Sequence, residues 1–213
     1  MPVDGVIYDL DGTLVDSKDD LADSVNAMLS RLGLPERAPS VIHGFIGEGA
    51  ERLIRRSLGT SQEHRLPQAA PIWREEYARR LLAKTRLYPG IAGVLRLPPP
   101  NRAVLTNKPG AFARRILDGL GVADAFRQVT GGDEGPRKPA ADGLLGLCRL
   151  LGVPPKRALL VGDSAVDLET GRAAGVRVCA VTWGLGEHAA LAGADYLCRT
   201  PSELGELLGR LRS

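Results

Sequence analysis

The amino-acid sequence predicts an α/β fold: a parallel sheet with helices on both faces, and an all-helical second domain inserted after the first strand. Three observations carry this expectation. Short apolar runs alternate with helical segments from residue 103 onward. One further strand-like run lies near the start of the chain. Between the two, residues 16 to 83 show helical periodicity throughout.

Gly5 to Leu10 (G-V-I-Y-D-L) is a short apolar run ending in acids and a glycine, which reads as a buried strand stopping at a loop. Leu21, Val25, Met28, Leu29 and Leu32 then recur at three- and four-residue spacing, with Gly33 as a stop signal. Asp16 and Ser17 are suited to starting that helix. Gly47 and Gly49 interrupt the region, Leu53, Ile54 and Leu58 resume a helical face, and an Arg- and Glu-rich segment from Pro71 to Lys84 completes it. Tyr88-Pro89-Gly90 is a turn and a natural boundary.

Beyond it, strands are expected at Ala103 to Thr106, Val129 to Gly131, Ala158 to Val161 and Val176 to Val181. Helices are expected at Gly110 to Leu120, Ala141 to Leu151 and Leu168 to Ala174. Such alternation gives a Rossmann-like parallel sheet. Leu97-Pro98-Pro99-Pro100 reads as a stiff exposed loop.

With 213 residues, the chain can form one substantial domain carrying a smaller insert. Aromatic residues make up only 4%, so the core must be built from Leu, Val, Ile and Ala. The net charge is +3, with Lys and Arg scattered among acids. A nucleic-acid or membrane surface needs a concentrated basic patch, so neither partner is expected. Cys148, Cys179 and Cys198 are far apart in sequence, with no C-x-x-C pair and no His at ligand spacing. Buried thiols in a reducing compartment are expected rather than zinc. No apolar run suits a signal peptide or a membrane span, so the expected location is cytoplasmic.

In open α/β sheets, ligands gather beyond the carboxyl ends of the strands. Asp9 and Asp11 follow the first strand, Thr106, Asn107 and Lys108 the second, and Gly131, Gly132 and Asp133 the third. Asp163 follows the fourth, with Asp167 four residues later, and Lys138 lies in a loop able to reach the same rim. Crowded carboxylates repel one another unless a cation neutralises them. Asp9, Asp11, Asp163 and Asp167 offer only oxygen ligands, which suits Mg²⁺. Lys138 adds positive charge, Thr106 a hydroxyl donor, and the Asp11-Gly12-Thr13 turn backbone N–H groups, with Gly12 permitting close approach. No Ser-His-Asp or Cys-His arrangement is evident, which leaves water or a carboxylate as nucleophile. A carboxylate would form an aspartyl-phosphate, with Asp11 placed to protonate the leaving group and then to deprotonate the attacking water.

The stretch D-L-D-G-T-L-V-D-S at Asp9 to Ser17 resembles the first signature of the haloacid dehalogenase superfamily. T-N-K at Thr106 to Lys108, K-P at Lys138-Pro139 and G-D-S-A-V-D at Gly162 to Asp167 match its further motifs in order. The resemblance covers nearly the whole chain. It implies a core of residues 1–15 and 84–213 and a helical cap of residues 16–83. It also implies Asp9 as nucleophile and metal ligand, and Asp11 as general acid/base lending its backbone carbonyl to Mg²⁺. Thr106 and Lys138 would hold the phosphoryl group, with Gly12 and Asn107 beside it. Asp163 would ligate the metal, and Asp167 would be a nearby ligand or an acid behind it.

F-I-G-E-G-A at Phe45 to Ala50, L-T-N-K-P-G at Leu105 to Gly110, G-G-D-E at Gly131 to Glu134 and V-T-W-G at Val181 to Gly184 resemble the phosphoglycolate phosphatases in particular. That likeness implies that Gly47, Glu48 and Gly49 reach over a small phosphorylated metabolite such as 2-phosphoglycolate. The stretch Gly93 to Arg102 departs from the pattern, with a shortened helix before the second core strand.

Several residues have plainer readings. Asp167 is also a favourable acid at a helix N-terminus, Lys108 a solvated first-turn residue, and Asp133 a loop-orienting acid. His43 can be a loop histidine, Trp183 a packing residue, and Gly47 and Gly49 a simple helix break. Competing functions are another small-molecule phosphatase (of a sugar phosphate, a nucleoside monophosphate or pyrophosphate), a dehalogenase, a phosphosugar mutase and a non-catalytic phosphate-binding protein. A dehalogenase needs neither Asp11 nor a metal, and a mutase needs a cap Lys/Arg pair that is not evident near Gly47.

Overall fold

β1 (Gly5–Tyr8) is buried along its whole length, as its unbroken apolar run requires of a central strand. The chain, a computed structural model describing residues 2–97 and 101–212, then passes through β2 (Val15–Asp16) into helical structure. α1 (Lys18–Arg31) buries Leu21, Val25, Met28 and Leu29 on one face. The short α2 (Pro39–His43), α3 (Ala50–Leu58) and α4 (Leu66–Arg80) follow. α4 starts five residues before the expected Pro71, which lies inside the helix. Proline there forfeits one internal hydrogen bond, and the burial of Trp73 and Tyr77 in the same helix outweighs that loss.

The chain returns through β3 (Arg86–Leu87), antiparallel to β2. α5 (Ile91–Arg96) is the shortened helix anticipated from the sequence, while the Pro98-Pro99-Pro100 part of the expected stiff loop lies outside the described residues. β4 (Asn101–Leu105), α6 (Gly110–Gly119), β5 (Gln128–Thr130), α7 (Asp142–Leu151), β6 (Ala158–Gly162), α8 (Ala165–Ala174) and β7 (Arg177–Val181) alternate as expected. Two elements beyond those expectations close the chain, β8 (Tyr196–Cys198) and α9 (Pro201–Leu211). α9 is signalled by Thr200, whose hydroxyl accepts from the Glu203 N–H, with Pro201 at the first helical position.

All six strands of the main sheet are parallel, in the order β5-β4-β1-β6-β7-β8. The chain winds outward from β1 in one direction and then crosses to the other side. This leaves a crevice at the carboxyl ends of β4, β1 and β6. Alternate side chains face two apolar layers. Ile7, Ala103, Leu105 and Leu160 pack with α7 and α8, whereas Val6, Tyr8, Val104 and Val161 pack with α5, α6 and α9. The second layer continues without a break into α1, α3 and α4.

Cys179 and Cys198, distant in sequence, stand on the neighbouring strands β7 and β8 with their sulfurs 3.6 Å apart. All three cysteines are free and buried. Among the described residues, no helix is long and apolar enough to cross a membrane.

One buried acid ties the helical block at its root. Asp20, in the first turn of α1, accepts from the Lys84 N–H and from both the N–H and hydroxyl of Thr85. Removing it would leave two backbone donors and a hydroxyl without their acceptor, those of Thr85 in a dry setting. Asp20→Ala is therefore expected to lower unfolding stability by about 3 kcal/mol in urea titrations; a loss below about 0.5 kcal/mol, the level of an ordinary surface change, would show that the clamp carries no load.

Candidate active site

The site gathers where β1 and β6 end. Asp9 follows β1, and its N–H donates to the Val161 carbonyl of β6 at 2.8 Å, fixing the two strand ends side by side. Asp163 follows β6, and Asp167 lies in the first turn of α8. Carboxylate oxygens of Asp9, Asp163 and Asp167 lie within 4.8 Å of one another. Among the described residues, this is the one His/Cys/Asp/Glu group close enough to share a metal ion.

Lys138 reaches into this cluster from the loop before α7. Its Nζ is 2.9 Å from Asp9 Oδ1 and 2.6 Å from Asp167 Oδ1. All four side chains are nearly excluded from solvent. Burial pushes the Asp9 carboxyl up; Lys138 pulls it down, Asp167 and Asp163 push it up again, and the result is about 8. Burial and Asp167 likewise raise Asp163 to about 6, against the hydrogen bonds it accepts. Burial opposes the Lys138 charge, but Asp167 and Asp9 hold its ammonium above its ordinary range. One lysine against three carboxylates leaves the site short of positive charge. An all-oxygen donor set of this kind fits a hard divalent cation.

Asp163 is anchored on every side. Its Oδ1 accepts from the Thr13 hydroxyl at 3.0 Å, and its Oδ2 accepts from the N–H groups of Leu185 and Gly186 at 2.8 and 3.2 Å. Gly12 must be glycine here: its φ is +84°, and a Cβ would stand 2.1 Å from Asp163 Oδ2. Of the 184–186 loop, only Gly184 was singled out from sequence, as the end of V-T-W-G, and the contacts of Leu185 and Gly186 were not expected. Its signal was the run of glycines after the last expected strand, and a Cβ at Gly186 would meet the Asp163 carbonyl oxygen at 2.0 Å. Trp183 does more than pack: its Nε1 donates to the Thr13 carbonyl at 3.1 Å and steadies the same turn.

Asp167 stands at the helix N-terminus as read for it, and it also reaches Lys138. One oxygen accepts from the N–H and hydroxyl of Ser164 at the start of α8, and the other pairs with Lys138. Ser17 departs from the expected helix-capping role. Its hydroxyl donates to Asp11 Oδ1 at 2.5 Å and leaves α1 without a side-chain cap.

Asp11 Oδ1 also pairs with Lys108 at 3.1 Å. Lys108 is buried rather than solvated, and its ammonium lies 2.5 Å from the Tyr77 hydroxyl and over the Tyr77 ring. Burial works against its charge, but Asp11 and Tyr77 outweigh burial and hold the ammonium up at about 12. The Thr106 hydroxyl accepts from the Lys108 N–H at 3.2 Å, which leaves its own proton free to donate. Asn107 bridges the helical block and the sheet. Its Nδ2 donates to the carbonyls of Gly47 and Lys138, and its Oδ1 is buried without a partner.

A narrow cleft, partly open to solvent, separates this rim from the helical block. Asp9, Asp11, Thr106, Asn107, Gly47 and Gly49 all line it. Glu48 does not; it turns away into ion pairs with Arg52 and Arg56. His43 also stands apart, 3.4 Å from Asp19. Asp133 orients its loop by accepting from the Gly110 N–H at 2.8 Å.

Residues 6–181 match the family model for haloacid dehalogenase-like hydrolases. A phosphoglycolate phosphatase of Chromobacterium violaceum is 36% identical over 217 residues, which cover 97% of this chain and 96% of that protein. Phosphoglycolate phosphatase 1 of Pseudomonas aeruginosa is 39% identical over 189 residues, covering 84% of this chain and 69% of that protein. Among solved structures, a predicted phosphoglycolate phosphatase from Haemophilus somnus superposes with a TM-score of 0.89 at 29% identity, covering 96% of this chain and 97% of that one. With about five-sixths of its length inside the family model and relatives 36 and 39% identical over most of it, the chain belongs to the haloacid dehalogenase-like hydrolases.

Proposed function

We propose that the protein is a Mg²⁺-dependent phosphatase that hydrolyses a small phosphate monoester through an aspartyl-phosphate on Asp9, with 2-phosphoglycolate as the substrate. One observation carries the mechanism: Asp9 is held against Lys138, beside Asp163 and Asp167, at the floor of a cleft. The substrate rests on the names of the relatives at 36 and 39% identity.

In this reading, the Asp9 carboxylate attacks phosphorus and the bond to the leaving oxygen breaks. Asp11 delivers a proton to that oxygen. Its Oδ1 is occupied by Ser17 and Lys108, so Oδ2 is the oxygen left to carry the proton. The same carboxylate then takes a proton from water as the water attacks the phosphorylated Asp9, releasing phosphate and restoring the carboxylate. Lys138 and the Thr106 hydroxyl stabilise the charge that builds on the phosphoryl oxygens. Asp9, Asp163 and the Asp11 backbone carbonyl would hold Mg²⁺, with Asp167 directly behind them. Bound there, the ion screens the acids from the phosphate and polarises it for attack.

Helices α1–α4, residues 16–83, act as a cap whose Gly47–Gly49 turn faces the substrate. A mutase is disfavoured because no Lys or Arg of those helices lines the cleft. A dehalogenase would leave Asp11 and the acidic cluster without a task. The free, buried thiols support a cytoplasmic location.

Asp9→Asn should reduce release of p-nitrophenol from its phosphate to the assay background while circular dichroism stays native; substantial residual turnover would sink the covalent route. EDTA should silence the enzyme and Mg²⁺ restore it, and activity indifferent to chelation would remove the metal. The raised carboxyls also set a pH dependence. Their folded values lie above the ordinary carboxylate range, so the metal-free protein loses stability as pH rises from about 4, where the unfolded carboxyls ionise, with the Asp163 share lost by about 6 and the Asp9 share by about 8. A cation binds only the ionised forms. Mg²⁺ affinity, read as a thermal shift, should therefore climb between about pH 5 and 9 and level off above; a pH-independent shift would count against these ligands.

A further inference from the structure

Of the side chains that line the cleft, only Lys108 is cationic; the walls around it include Leu21, Ile46, Leu53 and Trp73. An ammonium in such surroundings is costly unless each of its three N–H donors finds an acceptor. Asp11 Oδ1 takes one at 3.1 Å and the Tyr77 hydroxyl a second at 2.5 Å. The third has no partner among the described residues. Lys138, the other buried lysine of the rim, is committed to Asp9 and Asp167.

The spacing is informative in light of the proposed chemistry, on which this inference rests. Asp11 meets the leaving-group oxygen, and Lys108 lies one hydrogen bond from Asp11. A negative group one methylene away from that oxygen would then come within reach of the Lys108 ammonium. α3 begins at the same cleft, at Gly49 and Ala50, with no side-chain cap on its first-turn N–H groups.

We propose that Lys108 is the specificity residue of this cleft, binding a carboxylate that the substrate carries one methylene from the ester oxygen. The preferred substrate class is then a short phosphorylated hydroxy acid, chosen over neutral phosphate esters of the same size.

The test compares 2-phosphoglycolate with 2-hydroxyethyl phosphate, in which a hydroxymethyl group replaces the carboxylate. Binding of each is measured by calorimetry with Mg²⁺ to Asp9→Asn and to Asp9→Asn/Lys108→Met, and kcat/KM for each is measured with wild type and Lys108→Met. Taking the ratio of the two ligands within one protein cancels any general effect of losing the Asp11 contact, and any unfolded fraction. The preference for 2-phosphoglycolate should fall by about 10- to 100-fold on loss of the charge-assisted bond. Lys108→Gln, which keeps a polar donor without the charge, should lose it as well. An unchanged ratio, or no carboxylate preference before the substitution, would overturn the assignment. Phosphate release without carboxylate discrimination would sink Lys108 alone. Discrimination in binding with no phosphate release from any ester would instead sink the phosphatase reading and leave Lys108 standing.

Discussion

The structure of the rim depends on a single ammonium, that of Lys138, enclosed with carboxylates out of reach of water. A buried charge survives only when it is paired and hydrogen-bonded, and each partner of Lys138 comes from a different element. Asp9 ends β1, and Asp167 opens α8 just beyond β6. The pairing therefore holds three segments at one point, far apart in sequence and brought together by the strand order β4-β1-β6. Its strength has a consequence. The lysine offsets only part of the negative charge, so burial leaves Asp9 with a raised pKa and the cluster with an unmet demand for a cation.

Backbone packing sharpens this arrangement. Asp163 is held by the Thr13 hydroxyl and by two N–H groups of the 184–186 loop, so its carboxylate has almost no freedom to turn. That loop and the Gly12 turn come so close to Asp163 that a methyl group on Gly12 or Gly186 would overlap it or its backbone. A carboxylate fixed in this way is suited to hold a cation without rearranging.

The second lysine performs a different task. Lys108 and its neighbour Asn107 both reach across the cleft to the helical block, Lys108 to Tyr77 of α4 and Asn107 to the Gly47 carbonyl. The apolar cluster beneath is continuous between the block and one sheet face. The helices are thus joined to the sheet by broad apolar packing at their base and by two polar bridges at the rim. In the proposed mechanism, those bridges set the cap's position relative to Asp9 and Asp11, and substrate entry would have to break or bypass them.

Much of this was legible in the sequence. The alternating apolar runs and helical spacings located six of the helices and five of the sheet strands, because each buries a face whose period is written in its own residues. The acids at strand ends were legible because parallel strands point their carboxyl ends the same way. β8 and α9 escaped notice: β8 is three residues long, of which only Cys198 is buried, too short for an alternation to be read. Pro71 misled the start of α4, since the packing of Trp73 and Tyr77 outweighs a local cost. Ser17 looked like a helix cap and is a hydrogen-bond donor to Asp11, the two readings of Lys108, rim residue or solvated first turn, are decided for the rim by its burial, and Cys179 and Cys198 looked remote and are adjacent. By itself, the sequence determined which residue types stand at each strand end, and so the chemistry open to Asp9, Asp11, Lys138 and Asp163. Only the tertiary structure decided the partner of each: Asp167 for Lys138, the 184–186 amides for Asp163, Tyr77 for Lys108. Local patterns record whether a side chain is buried, but a buried charge chooses its partner across the fold, where sequence distance carries no information.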